Sequence, residues 1–259
     1  MTPILQSRLP FAPWMSPATA RLPGVQPMAG DDWLVVDEAF AGQMARRDAL
    51  IAERPEVVLG QLPGAGAAAA ELYDLVLDRL RHQPGYQFSD SHALRPDGGE
   101  VVLDPSQPFH TLGRLVQEDL CLLQKQDDEH VLTGACLCFP ASWSLAQKLG
   151  RPLIQVHRPV KTYDPDMARR VQRLFDGLRP DQPLWRMNAL VYVDPELHQP
   201  REEDARRTDR RGGQYLRAER QTMLRLPKTG AALFAIHTYV VLLSALSKAE
   251  RAGLETARL

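Results

Sequence analysis

Apolar positions recur at three- and four-residue spacing twice in the first third of the chain. Phe40, Met44, Leu50 and Ile51 alternate with Arg46, Arg47 and Asp48 behind a capping Asp37, which predicts a helix over Glu38–Glu53. Leu72, Leu75, Val76 and Leu80 repeat the pattern over Ala67–His82, and Pro84-Gly85 stops it. Gly60–Gly66 joins the two as a Pro/Gly connector. Tyr86–Asp104 is polar, and its Pro96-Asp97-Gly98-Gly99 turn is placed to join two short strands.

Further along, the period changes. Thr111–Cys121 reads as a helix, Val131–Phe139 as a buried strand ended by Pro140, and Ser142–Leu149 as a helix. Another helix opens at Asp164 or Pro165 and runs to Gly177. Trp185–Val193 alternates as a strand and ends at Asp194-Pro195, while the charged segment Arg201–Gly213 reads as a solvated loop or hairpin crest between strands. Strands over Gln214–Leu226 and Ala231–Tyr239 turn at Pro227-Lys228-Thr229-Gly230, and a helix over Val240–Ala252 closes at Gly253. Helices first and strands later predict an α+β class with an antiparallel sheet.

Composition narrows the class. The chain has 259 residues, of which 44% are hydrophobic and 24% charged, as in an ordinary globular protein. A chain of this size buries about 70% of its unfolded surface. Lys and Arg total 31 against 32 Asp and Glu, so no global basic field favours nucleic acid or an anionic membrane. The most apolar segment, Ala231–Leu246, falls short of the roughly 20 residues a membrane span needs. With no leader-like opening and three cysteines, the expected location is the cytoplasm. Prolines at 3, 10, 13, 17, 23 and 27 make residues 1–30 an extended arm lying on the surface of something else, ahead of a single domain over 31–259.

Cys136-x-Cys138 has the look of a metal or redox pair, but zinc needs four ligands and no second Cys pair or paired His motif accompanies it, so structural thiols are expected. Dinucleotide, P-loop, nucleophile-elbow and zincin strings are missing. His82, His92, His130 and His198 lie among polar or turn residues and read as surface side chains. His157 ends the apolar run Leu153–Val156 just before Pro159, where an imidazole either faces a pocket or bonds to backbone. His237 sits in an apolar strand and reads as a satisfied buried histidine. Glu219 and Arg220 are strand neighbours and so point to opposite faces, with Arg186 a possible partner for a buried Glu219.

Taken together, Leu115–Cys121, Cys138-Phe139-Pro140-Ala141-Ser142-Trp143, Val156-His157-Arg158-Pro159-Val160, Arg186-Met187-Asn188, Glu219-Arg220-Gln221-Thr222 and Leu226-Pro227 resemble the haem-dependent oxidative N-demethylase α-subunit family. The resemblance implies a PAS-like antiparallel sheet flanked by helices and holding haem b, with His157 as the iron ligand. It further implies O₂-dependent oxidation of a methyl group of a small secondary amine, dimethylamine, with release of formaldehyde. The electrons would come from NADPH through separate flavin and iron–sulfur reductase subunits. On that basis Glu219 is the amine's counter-ion, and Arg186 either polarises oxygen or pairs with a haem propionate. Arg186, Asn188 and Arg220 are then cofactor-side residues. Lys161, Ala189 and His237 depart from the family pattern, an indole being usual after the Arg-x-Asn string and an arginine at the last position. A haem sensor without turnover, or a haem-free pocket protein, remains open on the same scaffold.

Overall fold

The period-two alternation of the second half pairs into one large antiparallel sheet. A computed structural model describes residues 2–20, 23–29, 32–156, 165–205 and 211–257. In chain order the strands are β1 (Gln26–Pro27), β2 (Leu59–Gln61), β3 (Gln87–Phe88), β4 (His92–Leu94), β5 (Glu100–Val102), β6 (Asp119–Gln126), β7 (Glu129–Cys136), β8 (Leu184–Tyr192), β9 (Tyr215–Arg225) and β10 (Ala232–Leu242). The helices are α1 (Pro17–Ala20), α2 (Phe40–Glu53), α3 (Pro55–Val58), α4 (Gly66–Arg81), α5 (Pro108–Gly113), α6 (Leu145–Lys148), α7 (Leu153–Val156), α8 (Pro165–Asp176) and α9 (Lys248–Ala257). Seven strands lie in the order β1-β8-β9-β10-β6-β7-β2, and β3-β4-β5 form a small second sheet. The architecture is α+β.

One face of the large sheet is closed by helices. Phe40, Met44, Leu50 and Ile51 of α2 and Leu72, Val76 and Leu80 of α4 pack with Leu120, Leu122, Leu224 and Leu233 into the main core. Arg47 of α2 points into that core and is fully buried. It donates to Asp119 Oδ1 at 2.7 Å and to the carbonyls of Gly113 (2.8 Å) and Gln117 (3.2 Å). Asp119 also accepts from the backbone N–H groups of Cys138 (2.7 Å) and Phe139 (2.8 Å). The ion pair therefore fastens α2 to the start of β6 and to the chain leaving β7, with its remaining hydrogen-bonding capacity taken up as buried charges require.

The N-terminal residues lie on this chain's own sheet. Leu9, Ala12 and Trp14 bury against Met187, Ala189, Leu216, Tyr239 and Leu254, and Trp14 Nε1 donates to the Glu250 carbonyl at 2.8 Å. Gln6 pairs with Val240 through both backbone and side chain, extending the β10 edge past the end of β6.

Three expected elements differ. The helix expected over Thr111–Cys121 is α5 followed by β6, because Leu120, Cys121, Leu122 and Leu123 are all buried on a strand covered on both faces. The final strand runs on to Leu242 where a helix over Val240–Ala252 was expected, since β-branched Val240 and Val241 pair with Arg217 and Leu216. Gly253 does not stop a helix. It lies inside α9, where an added Cβ would come within 2.5 Å of Met15 Sδ, so the glycine admits the N-terminal arm. The helix expected over Ser142–Leu149 shrinks to α6.

Replacing Arg47 by alanine leaves Asp119 buried without its cation. A loss of about 3–5 kcal/mol in denaturant unfolding is expected. A loss under about 1 kcal/mol would show that the pair does not hold α2 to the sheet.

Candidate functional site

Alternation on three adjacent strands selects the site. In register, Asn188 of β8 and Thr238 of β10 flank Glu219 of β9, and Arg186 faces Gln221. Directly opposed residues share a face, and so do residues two apart on one strand. Arg186, Asn188, Arg217, Glu219, Gln221 and Thr238 therefore occupy one face. Met187, Ala189, Ala218, Arg220, His237 and Tyr239 occupy the other, under the N-terminal arm and the helices.

Glu219 is buried and held by its neighbours. Asn188 Nδ2 and Gln221 Nε2 each donate to Oε2 at 3.1 Å, and Asn188 Oδ1 accepts from the Glu219 N–H at 3.2 Å. Arg217 Nη2 stands 3.6 Å from Oε1, an ion pair too long for a hydrogen bond. The same Nη2 donates to the Phe139 carbonyl, and Nη1 donates to the Leu197 carbonyl at 2.8 Å. Oε1 thus keeps acceptor capacity.

Three polar atoms on this face are shut from solvent without a partner among the described residues: Arg186 Nε, Arg217 Nε and Thr238 Oγ1. Burial lowers Arg186 below the usual arginine value, and the Glu219 carboxylate offsets only part of that. Apolar side chains border the polar patch. Leu123, Met223 and Phe234 pack with Phe175 and Leu178 at the α8 end, and Cys121, Leu132, Ala135 and Leu137 form a second group beside them.

The expected site residues separate accordingly. Glu219, Arg186 and Asn188 come together. Arg220 does not join them: its guanidinium lies over the Trp185 ring on the opposite face, 5.9 Å from the centroid. Ala189 also faces away, buried with the N-terminal arm, so an indole in its place would not line the Glu219 face. His157 and Lys161 lie outside the described residues. Gln221, Arg217 and Thr238 were not singled out from the sequence, although the two-residue step from Glu219 along β9 reaches Gln221 and Arg217.

The other chemistry-bearing residues have contacts of their own. Cys136 and Cys138 have sulfurs 3.8 Å apart, with Arg47 Nη2 3.3 Å from the Cys136 sulfur, and no metal-binding cluster exists among the described residues. His130 and His198 correct the surface expectation, being buried against Gln172 and the Cys138 carbonyl. His237 is the satisfied buried histidine expected, with Nδ1 2.9 Å from Glu118 Oε1 and Nε2 3.1 Å from Asp37 Oδ2. Burial disfavours its charged form, but the two carboxylates outweigh burial and raise its pKa to about 9. Burial likewise works against ionised Asp37, and His237, Gln117 and Gln6 outweigh it to bring the carboxyl to about 2. An imidazolium thus stands between two buried carboxylates on the helix side of the sheet.

The fold and face define an α+β protein with a polar site set into an otherwise apolar sheet surface. A model of the family described as haem-dependent oxidative N-demethylase, alpha subunit-like, matches residues 24–258, and the chain belongs to that family. That description makes it a haem-dependent oxidative N-demethylase type of protein and one subunit of a larger system. Among the described residues no helix is long and apolar enough to cross a membrane. The Glu219 face offers apolar side chains beside a guanidinium whose Nε has no acceptor among the described residues, a donor set of the kind that a flat ring with anionic groups would require.

The His237 network gives a pH test. Its folded pKa lies above the unfolded value of 6.5, so its stabilisation is whole below 6.5 and is lost as pH rises through about 9. Denaturant unfolding from pH 6 to 10 should follow that fall, and His237→Gln should remove it while costing about 3–5 kcal/mol at pH 6. A wild-type profile identical to the variant's would contradict the charged network.

Proposed function

We propose that the chain is the haem-binding component of a monooxygenase that removes a methyl group from a small secondary amine of the dimethylamine kind. Residues 31–259 act as one PAS-like unit in the cytoplasm, with residues 1–30 strapped on. The observation that carries the reading is the Glu219 face: a held carboxylate whose Oε1 keeps acceptor capacity, next to a half-buried guanidinium whose Nε has no acceptor among the described residues. Haem b bound there, with His157 as iron ligand, would supply an iron centre that takes O₂ and accepts electrons from NADPH through separate flavin and iron–sulfur subunits.

The chain's own residues do the rest. Glu219 Oε1 accepts an N–H of the amine and fixes the nitrogen, so that a methyl group is presented in one orientation. Asn188 and Gln221 hold Oε2 and thereby stop the carboxylate from rotating away. Arg186 and Asn188 stand on the cofactor side. The buried sheet face excludes bulk water, which strengthens each charge-assisted contact. In the overall balance, the methyl group leaves as formaldehyde carrying one oxygen atom of O₂. The other oxygen becomes water, using two electrons from NADPH and two protons.

Two variants test the reading. His157→Ala should lose the Soret absorption of haem-loaded protein, while Glu219→Gln should keep it and weaken dimethylamine binding about tenfold or more. An unchanged haem spectrum in His157→Ala would contradict the ligand assignment.

A further inference from the structure

Two of the three thiols stand together beside a cation, and the demethylase reading uses neither. All three cysteines are free. Cys136 is the last residue of β7 and Cys138 follows two positions on, so their side chains leave the chain on the same side, with fully buried sulfurs 3.8 Å apart. Asp119 fixes this approach by accepting from the N–H groups of Cys138 and Phe139. Gly113 of α5 lies against Cys136, where a Cβ would collide with the sulfur. Residues two apart on a strand have α-carbons at most about 6.8 Å apart, the upper end of the range that disulfides span. Closing the bond brings the sulfurs together by a further ~1.8 Å, which side-chain rotation supplies.

The cation makes the two sulfurs unequal. Arg47 Nη2 donates to the Cys136 sulfur at 3.3 Å. The Cys138 thiol donating to that same sulfur and the Arg47 charge outweigh burial and lower Cys136 below the usual thiol value, while burial pushes Cys138 well above it. The thiolate is the form that attacks an oxidant, so Cys136 is the attacking sulfur and Cys138 the resolving one. Cys121 is the internal contrast. It packs among Leu132, Ala135 and Leu137, its charged neighbours are anionic, and burial holds its thiol well above the usual value.

We propose that Cys136 and Cys138 are a dithiol modification site, closed to a disulfide by hydrogen peroxide. Two thiols and one hydrogen peroxide give one disulfide and two waters. In the first step the Cys136 sulfur gives an electron pair to one peroxide oxygen and the O–O bond breaks. Cys136 becomes a sulfenic acid, and the departing hydroxide takes up the proton that the Cys136 thiol released. The Cys138 sulfur then attacks Cys136, the S–O bond breaks, and the hydroxyl leaves as water with the Cys138 proton. The sulfurs lose two electrons and the peroxide gains them. Full burial admits an oxidant about the size of water and excludes bulkier ones. Under the demethylase reading that oxidant has a source at hand, because two electrons and two protons reduce O₂ to hydrogen peroxide when no methyl group is oxidised. The pair itself is complete in this chain and does not depend on that reading.

The test exposes the full chain to hydrogen peroxide at a dose that leaves its near-ultraviolet circular dichroism unchanged, then unfolds it in guanidinium with N-ethylmaleimide and digests it for mass spectrometry. The peptide holding Cys136 and Cys138 should be unlabelled and lighter by two hydrogens, and dithiothreitol should return it to two labels. It should form about tenfold or more faster than any oxidation at Cys121. Cys138→Ser should stop at a Cys136 sulfenic acid that dimedone traps, and Cys136→Ser should leave Cys138 labelled. A pair that stays labelled at that dose, oxidation of Cys121 at an equal rate, or Cys138 oxidising unaided in Cys136→Ser overturns the proposal. So does a Cys136 sulfinic acid in place of the disulfide in the wild-type chain. Cys121→Ser should leave the disulfide unchanged, and its loss there would make Cys121 the partner and overturn the pairing. The wild-type result decides by itself where a serine variant fails to fold.

Discussion

The register of β9 between β8 and β10 is the constraint on which the site depends. Side chains alternate with a period of two, so a slip of one residue would carry Glu219 to the helix-covered face and bring Arg220 in its place. Asn188 opposes that slip, because its amide bonds both the backbone and the carboxylate of Glu219 and so ties side-chain placement to strand pairing. Trp185 opposes it from the other side by holding the Arg220 guanidinium.

The rest of the fold serves to keep that sheet in place. Arg47 and Asp119 join α2 to β6 on one flank. His237, Glu118 and Asp37 join β10 to the loop before α2 by a second buried charge network, which also positions Gln117 and Gln6. The His237 network lies on the helix side of the sheet. The opposite side is left with apolar walls and a small set of polar groups, a division that leaves that face available to a ligand.

The strands that carry the site were legible because their alternation is regular, and Arg186, Asn188 and Glu219 fell on one face as the two-residue step requires. Arg220 was assigned beside them from a string shared with the family, and a string does not state which way a strand residue points. β6 was hidden because Leu120–Leu123 is apolar on both faces and lacks the alternation of a half-buried strand. His130 and His198 were hidden because their burial comes from contacts distant in sequence, with Gln172 and the Cys138 carbonyl. The proline-rich arm gave no sign of its partner. Its Leu9 and Trp14 are isolated apolar residues whose surface of contact exists only after β8 to β10 have formed.

The measurement that bears most directly on the account is an X-ray structure of haem-loaded protein with data collected at the iron absorption edge. The account predicts an anomalous iron peak over the sheet face that carries Glu219, Asn188 and Arg186, with the His157 imidazole as its protein ligand. A peak on the Arg220 and His237 face, or an iron held by a residue other than His157, would contradict it.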